Sequence, residues 1–174
     1  MNMKGQYFSF DAIIATVIMV LAFSSLVAYW YGAQAVVESR TYSRLADANR
    51  IAESLLSPGS PSNWADGYHD MADVRQLGIA KGFNNELNKS KVAALEAIAS
   101  PAAYYRETGN LLRAGGDYFI LIERTNTDAA NGENEIVAQI GTYPIPASAN
   151  NVVVANRGAT LDGRPVRMRV FLWK

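Results

Sequence analysis

Asp66, His69, Asp70 and Asp73 fall close together, and carboxylate and imidazole groups at that spacing could ligate a metal ion. The plainer reading is a solvated polar loop, and the rest of the composition favours it. His69 is the only histidine, and the chain has no cysteine. Disulfide staples, thiolate metal sites and a thiol nucleophile are therefore excluded. No nucleophile–base pair stands out, and no glycine-rich phosphate cradle is present. Glu133 and Glu135 flank the Asn131-Gly132 turn and read as solvent-facing. Tyr104 and Tyr105 read as core and rim residues of a helix rather than stacking platforms for bases. Sixteen basic residues balance sixteen acidic ones, so no global field draws nucleic acid or an anionic membrane. No enzymatic activity, metal, cofactor or nucleic-acid partner is expected.

Two polar residues need a closer reading. Asn88-Lys89-Ser90 is an N-glycosylation sequon, and Asn88 is equally placed to cap a helix. Asp11 stands at the entrance of an uncharged run from Ala12 to Tyr31, built mostly of Ala, Ile, Val, Leu and Met with Ser24 and Ser25 as small interruptions. A carboxylate at the edge of an apolar helix is costly unless paired. It is also tolerable at a membrane interface, where the helix N-terminus favours an anion.

The elements that carry these residues follow from periodicity. A helix over 12–31 rises about 30 Å, enough to cross a hydrocarbon core. The helical pattern runs on, with Val37, Leu45, Ala48, Ala52 and Leu55 as one buried stripe and Arg40, Arg44, Asp47, Arg50 and Glu53 between them. Ser57-Pro58-Gly59-Ser60-Pro61 ends it, which predicts one helix from about Phe10 to Leu56. An α+β head follows from Ser57 to Lys174. Its first part, to Gly82, is loop-rich with Trp64 as an anchor. Asn88 or Ser90 caps a helix through Ala99, and Ser100-Pro101 opens a second that ends near Gly115-Gly116. Strands are expected at Asp117–Thr125, Glu135–Ile140, Asn151–Ala155 and Val166–Leu172, the last two flanking an Asp162-Gly163 hairpin turn. In the last strand Val166, Met168, Val170 and Leu172 share a face opposite Arg167, Arg169 and Phe171. The expected head is two helices and a four-stranded antiparallel sheet packed on the second half of the long helix.

Lys4-Gly5-Gln6, followed by Tyr7-Phe8-Ser9-Phe10-Asp11 and then the apolar run, resembles the class III signal peptides of archaeal type IV pilins and archaellins. Leu55 to Trp64, Leu77-Gly78-Ile79 and Val170 to Trp173 also resemble stretches of archaeal pilin-like proteins. The resemblance implies a leader of residues 1–5, cut between Gly5 and Gln6 by a prepilin peptidase, with the helix kept on the mature chain. It implies that Asp11 acts in subunit assembly, pairing with the freed α-amine of a neighbour. The acid here falls one position later than is usual and is Asp rather than Glu; a cut after Gln6 restores the spacing. The implied product is a cell-surface filament of the kind used in adhesion, a homopolymer built by pilus assembly machinery from a membrane-held precursor. An exported head also makes glycosylation at Asn88 an expectation.

Two features pull the other way. By the positive-inside rule, Lys4 alone stands against Arg40, Arg44 and Arg50, which places the head in the cytoplasm, whereas the resemblance implies export. Ala33-Gln34-Ala35 has the form of an ordinary signal cleavage site, which would release a soluble head. The rival functions are a membrane-anchored binding or minor pilin-like accessory protein that never polymerises, and an anchored hydrolase, which the missing nucleophile–base pair disfavours.

Overall fold

The computed structural model describes residues 4–66, 71–100, 102–124 and 134–174. The chain forms two compact units, Met1–Thr41 and Tyr42–Lys174. A single helix, α1 (Lys4–Leu55), supplies all the described structure of the first and opens the second. It starts earlier than the periodicity predicts, because Gly5 costs a helix only about 1 kcal/mol and nothing else nearby breaks it. Within it the hydroxyls of Thr16, Ser25 and Thr41 donate to carbonyls four residues back, at Ala12, Leu21 and Val37.

The second unit is an α+β head, as expected. The last turns of α1 bury Ala48, Ile51, Ala52 and Leu55, a stripe at helical spacing. The stripe is shorter than the sequence suggests: Val37 and Leu45 stay exposed. Two further helices, α2 (Lys89–Ala99) and α3 (Ala102–Leu112), precede most of the sheet. The strands are β1 (Glu86–Leu87), β2 (Asp117–Arg124), β3 (Glu135–Gly141), β4 (Val153–Leu161) and β5 (Arg164–Trp173), ordered β1-β4-β5-β2-β3.

Two expectations are corrected. The sheet has five strands rather than four, and it is mixed, because the two-residue β1 runs parallel to β4. So short a strand carries no alternation to detect; it exists because the Thr160 amide bonds the Asn85 carbonyl and lays the chain against β4. The fourth strand also runs on past Ala155 to Leu161. Asn156-Arg157-Gly158 looks like loop, but Arg157 reaches back to α1, donating to Glu53 at 2.6 Å and Asn49 at 3.0 Å. Asp162 and Gly163 both take positive φ, 51° and 73°, the geometry of a two-residue hairpin turn.

One face of the sheet carries Tyr118, Ile120, Ile122, Met168 and Val170 into the main core with α1 and α2. On the other face Phe119, Leu121 and Trp173 form a smaller cluster, covered by Ile145 and Ala149 from the β3–β4 connection.

Candidate functional site

The residues with the most unsatisfied surface lie on α1. From Phe10 to Ser43 every residue is exposed. Ile13, Val17, Ile18, Met19, Val20, Leu21, Phe23 and Leu26 are among the large apolar side chains left open. By length and composition this helix is able to cross a membrane. The Thr16 and Ser25 hydroxyls need no further partner, because they already bond their own backbone, the arrangement that lets Ser and Thr sit in an apolar medium. Asp11 is exposed on this helix and has no ion-pair partner among the described residues. Gly5 and Gln6 lie in the first turns of α1, and nothing is described of the Gln6 side chain.

The remaining candidates disperse. Asp66 and Asp73 are exposed, while His69 and Asp70 lie outside the described residues. Among the described residues no group of three His, Asp or Glu side chains is gathered as a metal site. Glu133 also lies outside them, and Glu135 pairs with Arg124 at 2.6 Å. Asn88 caps α2: its Oδ1 accepts from the amides of Ser90 and Lys91 at 2.9 and 3.3 Å. The side-chain nitrogen, where a glycan would attach, is not used by the cap. Tyr104 is exposed; Tyr105 stacks on Tyr118 with ring centroids 4.7 Å apart.

The head holds three polar arrangements that the sequence did not reveal. The first ties its loops together. The Lys91 ammonium is buried and donates to the carbonyls of Pro58 at 2.7 Å and Ala80 at 3.2 Å, and burial pushes its pKa below the usual lysine value. Close by, Trp64 Nε1 donates to the Gly78 carbonyl at 2.8 Å. A side chain at Gly78 would meet the Ser57 carbonyl oxygen at 2.2 Å, so the two segments touch backbone to backbone. The second is Glu123, nearly buried and held by Arg167 at 3.0 Å and Arg169 at 2.7 Å. Alternation puts Glu123 on one face of β2 and Arg167 and Arg169 on one face of β5, but only the strand register brings them together. The third is the stacked tyrosine pair. Tyr118 donates its amide to the Tyr105 oxygen at 2.9 Å, and desolvation raises both phenol pKa values.

None of these arrangements carries a nucleophile beside a base. A shallow depression of about 530 Å³ over β4 and β5, bordered by Asn156, Gly158, Thr160 and Arg167, is open surface. What the chain presents is a pilin-like architecture: a long apolar N-terminal helix and a small α+β head. No family model, curated protein or solved structure matches it.

Proposed function

We propose that the chain is a structural subunit of a type IV pilus-like surface filament, made as a membrane-held precursor and assembled through its N-terminal helix. One observation carries this reading: an uncharged helical stretch from Ala12 to Val37 whose large apolar side chains are all exposed. Such a surface needs a cover. Lipid covers it in the precursor, and the same helix of neighbouring subunits covers it in the filament. On this reading a prepilin peptidase removes residues 1–5, and Gln6 becomes the new N-terminus. The partners are further copies of the chain and the assembly machinery. The protein is not an enzyme and binds no cofactor or nucleic acid.

Two of the three arginines counted against export have structural work in the head. Arg50 donates to the carbonyls of Leu112 and Arg113 at 3.1 and 2.7 Å, satisfying the last turn of α3. Arg44 lies against the carbonyls of Asn150 and Asn151. Both positions thus have a structural reason for arginine, and the positive-inside count carries less weight.

Asp11 supplies the test. An unpaired carboxylate within a bundle of apolar helices costs several kcal/mol. A neighbour's α-amine, exposed only by cleavage, relieves that cost and sets the stagger. Asp11→Ala should leave membrane insertion, processing and head folding intact while filaments become few or absent; Asp11→Glu should be tolerated. Electron microscopy of cells bearing each variant, with immunoblots for the processed chain, reads both outcomes. Normal filament numbers in the alanine variant would remove Asp11 from the mechanism. Absence of filaments from the unaltered chain, with its machinery present, would favour an anchored accessory protein.

A further inference from the structure

The uncharged stretch of α1 is longer than a bilayer needs. From Ala12 to Val37 it rises roughly 38 Å, against a hydrocarbon core of about 30 Å. Something other than the first charge, Glu38, has to decide where the membrane ends. Tyr29, Trp30 and Tyr31 are consecutive and remain 76 %, 62 % and 67 % exposed. Successive helical residues point about 100° apart, so these three rings spread over about 200° of the helix surface within a single turn. A packing helix touches positions three and four apart on one side and could not engage all three. So wide an arc fits a partner broader than one helix. Each side chain joins an apolar body to a polar tip, and none of the three tips hydrogen-bonds another described residue. That chemistry suits the boundary between acyl chains and head groups.

The geometry points to Tyr29-Trp30-Tyr31 as an interfacial collar that seats the precursor in the bilayer, with 12–28 in hydrocarbon and Gly32 onward outside it. The inference rests on the membrane-held precursor of the proposed function. The opposite boundary supports the register. Asp11 lies about 29 Å below Trp30 along the helix, so both a charge and a collar reach water without tilt. With the boundary at Glu38 instead, the separation would be about 40 Å, and the helix would have to tilt or bury Asp11.

Tryptophan fluorescence tests this directly. The other two tryptophans, Trp64 and Trp173, are buried in the head at 5 % and 2 % exposure, which leaves Trp30 as the one open to lipid. The full chain is reconstituted into phosphatidylcholine vesicles carrying bromine at shallow or deep acyl positions. The expected result is flotation with the vesicles and loss of most Trp30 emission with the shallow label, a smaller loss with the deep one. Trp30→Phe should abolish the quenching without changing flotation, and Leu21→Trp in that background should reverse the preference towards the deep label. Flotation with deeper quenching of Trp30 would move the boundary along the helix and overturn the collar. Flotation with no quenching by either label would mean that other protein covers the arc, and would overturn it equally; in both cases the membrane reading survives. Failure to float would sink both.

Discussion

Replacing Trp64 by Phe keeps most of the ring volume but removes the donor that satisfies the Gly78 carbonyl. A buried carbonyl left alone costs about 1–3 kcal/mol, so Trp64→Phe should lower the head's denaturant midpoint with an unchanged slope. An unchanged midpoint would mean that the indole serves only as filler. The tyrosine pair gives the head a pH dependence. Desolvation raises the Tyr105 and Tyr118 phenols above the ordinary value of 10.0. The unfolded chain therefore loses these protons first, and stability should fall as pH rises above about 10. Lys91 opposes this, because its lowered pKa makes folding more favourable as pH approaches the ordinary lysine value. Comparison with Tyr118→Phe separates the two: the variant should lose less stability than the parent across that alkaline range. Equal losses would assign the alkaline fall elsewhere.

The β4–β5 hairpin depends on a turn that few residues can make. Gly163 has open space around a would-be Cβ, so Gly163→Ala meets only backbone strain, about 1–2 kcal/mol for a side chain at positive φ. Thermal unfolding should show a drop of that order; no change would mean that the turn relaxes freely. The hairpin was legible because Asp162-Gly163 encodes its turn and the Val166–Leu172 alternation encodes its face. The apolar helix was legible from composition alone, and α2 from its asparagine cap. What stayed hidden has no local signature. Strand β1 is held by its pairing with the distant β4, the Glu123 cluster by strand register, and the Lys91 latch by two loops that meet only in the fold. The candidate site divides in the same way. Asp11 and the cover-seeking helix are written in the sequence, but the three-aromatic arc stands out only once its exposure is known.

For the whole molecule, the second compact unit begins inside α1, at Tyr42, and not at the proline-rich break. A chain starting at Gln34 should be soluble and unfold in one cooperative step. A chain starting at Ser57 lacks Ala48, Ile51, Ala52 and Leu55 from the core and should not give a cooperative transition. Circular dichroism on both truncations decides; a cooperative Ser57 chain would show that the helix is dispensable to the head. The same feature has a mechanical side. Within this unit the helical start carries Ala48, Ile51, Ala52 and Leu55 into the core, and the Leu55 carbonyl at its end accepts from the Ile79 amide. A pull applied at Tyr42 would therefore load four buried side chains, the Arg157–Glu53 pair and the Arg50 clamp together, so that the head yields by shearing as a unit instead of peeling strand by strand.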